Sequence, residues 1–174
     1  LRFNVTAREF ERAVQLLQSR FFQLNTDVSE VEIFDDETRL IHRKTSGYMQ
    51  NTTTTRERKE VIGSENFTVF GKHVKVAKSR ETPLPPTTTD DRRRLVRVRG
   101  RERVSAEVDN AFRVDLTRVR ENGLVSHELE IEVVDAEKVT LPTCQKIVDF
   151  IDLVTMEECD AADQPADAIL IETQ

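Results

Sequence analysis

The chain has no tryptophan, one tyrosine, five glycines, five prolines and two cysteines in 174 residues. So few glycines leave no glycine-rich phosphate loop and no collagen-like repeat. Cys144 and Cys159 lack the spacing of a metal-binding pair and are too few for a disulfide scaffold. They read as reduced thiols of an intracellular protein. His42, His73 and His127 show no metal-ligand spacing and read as surface or strand residues. No apolar run is long enough to span a bilayer, and the start carries no signal-peptide pattern. The formal net charge of -6 excludes a protein that is basic throughout. Three Asn-x-Thr triplets, at Asn4, Asn51 and Asn66, read as chance in a chain without a secretion signal. Hydrophobic residues are 37% of the chain and charged residues 33%. That is thin for an ordinary packed core, but it suits a barrel with a polar interior and an apolar outer layer. The length fits one domain.

Thr6-Ala7-Arg8-Glu9 is a capping-box pattern, followed by Phe10, Val14, Leu17 and Phe21 at helical spacing. It predicts a helix over 7–20. Val31 to Arg43 predicts a strand pair turning at Asp35-Asp36-Glu37, and 46–55 a strand end with a loop. Arg56–Ile62 and Phe67–Phe70 predict strands around Gly63-Ser64, and His73–Glu81 a strand ended by the prolines at 83, 85 and 86. Thr87 to Asp91 reads as an exposed loop. Leu95–Val108 and Phe112–Val119 predict strands, and Asn122-Gly123 a hairpin turn before a strand over 126–134. Leu141–Glu158 carries Ile147, Phe150, Ile151 and Val154 at helical spacing and predicts a second helix. The acidic stretch from Asp160 reads as a loose tail in which Ala168-Ile169-Leu170-Ile171 adds a short strand. No internal repeat is present.

Two stretches carry most of the information. Residues 97–103 read Arg-Val-Arg-Gly-Arg-Glu-Arg, and residues 127–133 read His-Glu-Leu-Glu-Ile-Glu-Val. Side chains of a strand alternate faces. Arg97, Arg99, Arg101 and Arg103 therefore share one face, and Glu128, Glu130 and Glu132 share one face of another strand. The opposite faces carry Val96, Val98, Val104 and Leu129, Ile131, Val133, which predicts that these apolar faces meet the core. Arg113, Asp115 and Thr117 form a third polar face, and Glu81 closes a fourth strand. A solvated face on an open sheet explains any one of these. A closed sheet makes them a lumen of both charge signs, suited to a polyanion and a divalent metal.

Arg101-Glu102-Arg103-Val104-Ser105, Arg113-Val114-Asp115-Leu116-Thr117 and Glu128-Leu129-Glu130-Ile131-Glu132, in that order and spacing, resemble three successive strands of the fungal and protozoan RNA 5′-triphosphatases. These belong to the triphosphate tunnel metalloenzymes. The resemblance covers roughly residues 1–135. It implies an α+β, mainly β fold: an antiparallel eight-stranded tunnel barrel with flanking helices, as one domain over 1–174. It implies removal of the γ-phosphate from 5′-triphosphate RNA, the first step of mRNA capping, with Mg²⁺ or Mn²⁺, and NTPase activity with Mn²⁺.

Arg39, Arg99, Arg101 and Arg103, with Arg58 or Lys59, are then the phosphate-binding cations. Glu81 orients or deprotonates the attacking water. Glu132 is the expected metal ligand, and Glu130 and Glu128 either join it or hold the arginines in place. Arg113, Asp115 and Thr117 are supports. The family's first strand carries a Glu-x-Glu pair. This chain opens Leu1-Arg2-Phe3, so the expectation is that it starts just after that pair. The implied partners are the RNA 5′ end, nucleoside triphosphates and a capping guanylyltransferase, with no membrane; the implied location is the nucleus. Two alternatives stand: an inorganic or nucleoside triphosphatase of the same class, and a non-catalytic polyanion- or RNA-binding module.

Overall fold

A computed structural model describes residues 1–20, 24–44, 52–69, 71–85 and 93–156. Eight antiparallel strands form one closed barrel. In chain order they are β1 (Arg2–Val5), β2 (Asn25–Phe34), β3 (Thr38–Lys44), β4 (Thr52–Val69), β5 (Lys72–Pro83), β6 (Leu95–Val108), β7 (Phe112–Glu121) and β8 (Leu124–Val133). Helix α1 (Ala7–Arg20) follows β1, and α2 (Leu141–Thr155) follows β8. Around the barrel the order is β1-β5-β4-β3-β2-β6-β7-β8, and β8 returns to β1. The closure is shortest at β1, which pairs with β5 at two positions, Arg2 with Lys75 and Phe3 with Val74.

The helices start where their caps place them. The Thr6 hydroxyl accepts from the Glu9 amide at 3.2 Å, and Glu9 Oε2 accepts from the Thr6 amide at 2.7 Å. Thr140 and Thr143 exchange the equivalent bonds at the head of α2, with Pro142 in the first turn where its missing N–H costs nothing. Both helices lie on the outside of the barrel. Phe10, Ala13 and Leu17 of α1 join Ile147, Phe150 and Val154 of α2 in one core. That core takes the outward face of the wall: Phe3, Val5, Val74, Val114, Leu116, Leu129 and Ile131. Leu116 and Leu129 stand opposite each other across β7 and β8 and are fully buried. Burying side chains of this size stabilises the fold by about 1.5–3 kcal/mol each.

Three expectations need correction. The two strands expected around Gly63-Ser64 are one strand, β4, with a register shift between Val61 and Gly63. An extra residue there bends the strand without ending it. The valine face of β6 is covered only in its second half: Ala106 and Val108 are buried, whereas Val96 and Val98 are 60% and 40% exposed. The described helices do not reach them. Helix α2 ends at Thr155 with Met156 as its C-cap, short of the expected Glu158, while Phe21, Phe70, Cys159 and the tail lie outside the described residues. The turn at Asn122-Gly123 is as expected, with both residues at positive φ (51° and 77°).

Candidate active site

Because Leu116 and Leu129 point outward to the helices, their neighbours Asp115, Thr117, Glu128 and Glu130 face the barrel interior. The ladder carries this face around the barrel. Thr117 stands opposite Arg103, Arg97 opposite Ile33, Ile33 opposite Arg39, and Arg39 opposite Glu57. Lys59 stands opposite Glu81, and Arg2 opposite Glu130. The interior therefore brings together every residue of the arginine ladder, the glutamate triplet, Arg39, Lys59, Glu81, Arg113, Asp115 and Thr117. Arg58 is the exception. It points to the outer surface, its Nη2 3.6 Å from Asp36 Oδ2 in the β2–β3 turn.

The interior charges form two ion-pair networks, two separate pairs (Lys59 with Glu81, and Arg43 Nε with Asp27 Oδ1 at 3.6 Å) and a remainder without partners among the described residues. In the first, Glu121 lies between Arg97 Nε (2.9 Å) and Arg99 Nε (3.2 Å). The Arg99 N–H does not point at that oxygen, so this contact is ionic without being a hydrogen bond. Arg99 Nη2 donates to Glu128 Oε1 at 2.7 Å, and Arg2 Nη1 lies 3.8 Å from the other Glu128 oxygen. The second network centres on Asp115, which is 1% exposed. Its Oδ2 lies 3.1 Å from Arg103 Nη1 and 3.3 Å from Arg113 Nε. Arg103 Nε also donates to Thr117 Oγ1 at 3.2 Å, and Arg113 Nη2 donates to Glu132. Burial opposes the charge on Arg113, but Asp115 and Glu132 outweigh it and raise its pKa.

Arg39 and Arg101 are left over. Neither has a hydrogen-bond or ion-pair partner among the described residues, and Arg101 Nε is buried. Burial, then the neighbouring Arg103, push the Arg101 pKa down to about 10. Burial also lowers that of Arg39, against the pull of Glu57 and Glu81. Both remain protonated at neutral pH. Among the described residues, carboxylates reach these two guanidiniums only from beyond ion-pair distance (Glu57 and Glu81 for Arg39, Asp27 for Arg101), so their donors are open to an added anion.

Beside them, Lys59 Nζ lies 2.8 Å from Glu81 Oε1. That hydrogen bond, against the opposing effect of burial, holds the Glu81 carboxyl below its usual range, so it is ionised at neutral pH.

Sequence reasoning missed Arg2, Asp27, Arg43, Glu57 and Glu121, among others, as interior residues. Glu121 was legible in phase with Arg113, Asp115 and Thr117, but ending the strand at Val119 cut it off. Arg2 and Glu57 follow only from pairing register.

No group of three His, Cys, Asp or Glu side chains among the described residues comes together to hold a metal ion. Glu128, Glu130 and Glu132 each face a guanidinium, Glu130 at 4.0 Å from Arg103 Nη2. These residues alone do not build a divalent-ion site. Among the described residues, no helix is long and apolar enough to cross a membrane.

No family model matches the sequence, and no curated protein matches it. Solved structures do. The Mimivirus capping enzyme triphosphatase, in its monoclinic form, superposes with a TM-score of 0.62 at 14% identity, covering 88% of this chain and 87% of that one. The S. pombe RNA triphosphatase superposes with a TM-score of 0.59 at 16% identity, over 89% of this chain and 71% of that one. The chain shares their fold. A putative adenylate cyclase from Bacillus halodurans also superposes, with a TM-score of 0.50 at 12% identity over 91% of each chain. The tunnel fold thus occurs in structures named for different activities, and the chemistry of this chain rests on its own interior residues.

Proposed function

We propose that this chain is an RNA 5′-triphosphatase that hydrolyses the γ-phosphate of 5′-triphosphate RNA, the first step of mRNA capping. The observation that carries this reading is the pair of interior arginines, Arg39 and Arg101, that have no hydrogen-bond or ion-pair partner among the described residues and are flanked by arginines already held in place by carboxylates. A triphosphate end brings several negative charges on a narrow chain, and its transition state spreads charge over the γ oxygens. Fixed guanidiniums meet such oxygens without reorganising.

In this reading Arg39 and Arg101 take the phosphate oxygens directly. Arg99 and Arg103, oriented by Glu128 and Asp115, line the same path and add positive field. Lys59 contributes charge and holds Glu81 ionised, so Glu81 accepts a hydrogen bond from the attacking water. The water oxygen bonds to the γ-phosphorus, the bond from that phosphorus to the β–γ bridging oxygen breaks, and the water proton passes to Glu81 or to solvent. The products are orthophosphate and a 5′-diphosphate end. Arg113, Thr117 and Glu130 hold the wall in register around Asp115 and Arg103.

Dependence on Mg²⁺ or Mn²⁺ is proposed with this activity. When bound, such an ion supplies Lewis-acid charge to phosphoryl oxygens. Glu132, with Glu130 and Glu128, offers oxygen donors of the right kind, but the described residues do not complete a site. NTPase activity, a capping guanylyltransferase partner and a nuclear location follow from the capping reading alone and are proposed with it.

The test is phosphate release from triphosphate RNA labelled at the γ or the α position, with and without added Mg²⁺ or Mn²⁺. Free orthophosphate carrying only the γ label supports the reading. Release of pyrophosphate, or no release under any condition, refutes it.

A further inference from the structure

The arginine ladder is longer than a triphosphate. Alternate residues of a strand lie about 6.8 Å apart, so four guanidiniums from Arg97 to Arg103 extend over about 20 Å. A triphosphate is three phosphorus atoms joined through two bridging oxygens and spans only part of that length. Arg101 and its neighbours Arg99 and Arg103 suffice for it. Arg97, at the end of the ladder, is left for something else.

Its surroundings differ from those of the other three. Arg97 is the most open of them, with its side chain 53% exposed against 17% for Arg99 and 23% for Arg103. It stands at the barrel rim, where the β2–β6 ladder ends at Phe34 opposite Leu95. The rim carries Arg93, Arg94 and Arg97 and an aromatic ring. The Arg93 guanidinium lies over the Phe34 ring, 5.5 Å from its centroid. Arg94 is tied to the β2–β3 turn, with the Asp35 amide donating to its carbonyl at 3.1 Å and its own amide donating to Asp35 Oδ1 at 3.3 Å. Among the described residues the carboxylates of this rim are Asp35, Asp36, Glu37 and Glu121. Asp36 is engaged by Thr38 and Arg58, and Glu121 is shared between Arg97 and Arg99. Cationic side chains beside a half-buried aromatic ring are what a single-stranded polynucleotide meets along its backbone.

We propose that the RNA chain leaves the barrel over this rim and that Arg97 binds its first phosphodiester, making Arg97 the residue that favours 5′-triphosphate RNA over inorganic tripolyphosphate. The inference rests on the triphosphatase reading and adds the direction in which the substrate lies.

The experiment compares wild type, Arg97→Ala and Arg97→Lys on two probes, a short 5′-triphosphate oligoribonucleotide and inorganic tripolyphosphate, over a range of salt concentrations. Arg97→Ala is expected to weaken binding of the oligonucleotide about 5–10-fold and to make its log Kd against log salt shallower by about 0.7. Tripolyphosphate binding stays within about twofold of wild type, since the charge lost lies beyond the triphosphate. Arg97→Lys keeps the salt slope. Equal losses on both probes would overturn the inference by placing Arg97 on the triphosphate. An unchanged oligonucleotide affinity would overturn it by sending the RNA through the other end. Wild type that binds neither probe would instead refute the triphosphatase reading itself.

Discussion

Asp115 holds Arg103 by one carboxylate oxygen, Oδ2 to Nη1 at 3.1 Å, and leaves the other oxygen buried without a hydrogen-bond partner. The same Oδ2 lies 3.3 Å from Arg113 Nε. One nearly inaccessible carboxylate therefore fixes two interior guanidiniums, Arg103 from the neighbouring strand β6 and Arg113 from its own strand β7.

Asp115→Ala strands both arginines without their shared counter-charge. Breaking a buried ion pair from one side costs several kcal/mol. Arg103 and Arg113 keep some contact with solvent and with Glu130 and Glu132, so the expected loss is about 2–3 kcal/mol. Urea unfolding measures it, and Asp115→Asn should cost less because the side-chain volume remains.

Arg101→Met should separate function from stability. Removing a cation that burial and its neighbours disfavour should stabilise the free protein by about 1 kcal/mol, raising Tm by about 2–4 °C. Phosphate release should fall about 100–1,000-fold, the scale of losing one preorganised donor to a transition state. Parallel melting and turnover assays check both. A destabilised variant with full turnover would remove Arg101 from the anion site.

Much of this arrangement was legible in the sequence. Alternation placed Asp115, Thr117, Glu128 and Glu130 on one face correctly, because Leu116 and Leu129 between them are too apolar to face a charged lumen. The capping pair Thr6 and Glu9 marked the start of α1. Phase alone does not say which charges meet. The division between Arg99, which is paired, and Arg101, which has no partner among the described residues, depends on cross-strand register, and Glu121 sits in a different strand from both arginines it joins. Nor does phase say what covers a face: Val96 and Val98 alternate like core residues and lie beyond the described helices.

Register also separates Arg58 from Lys59, which adjacency in sequence left open. Lys59→Ala should reduce phosphate release at least about tenfold by removing a charge-assisted hydrogen bond inside the barrel. Arg58→Ala, which changes an outer-surface pair with Asp36, should stay within about threefold. Steady-state kinetics on the two variants decides it, and the reverse order would contradict the placement.

Glu81 gives a pH test with a definite sign. Its pKa is lowered in the folded protein, chiefly by the Lys59 hydrogen bond. Its stabilising contribution is therefore complete above the ordinary glutamate range and lost as pH falls through the lowered folded value. In Lys59→Met the Glu81 pKa rises. The acid limb of kcat/KM should move to higher pH, while the same limb in Arg58→Met stays in place. A pH–rate profile of the two variants reads this directly.

The central claim is that Arg39 and Arg101 form an anion site inside the barrel. The most direct measurement is calorimetric titration of inorganic tripolyphosphate into wild type, Arg39→Ala and Arg101→Ala, in chelator and again with Mg²⁺ or Mn²⁺. One saturable site is expected in wild type, with a loss of about 1.5–3 kcal/mol in each variant, the scale of a charge-assisted hydrogen bond. Wild-type affinity retained in both variants would contradict it.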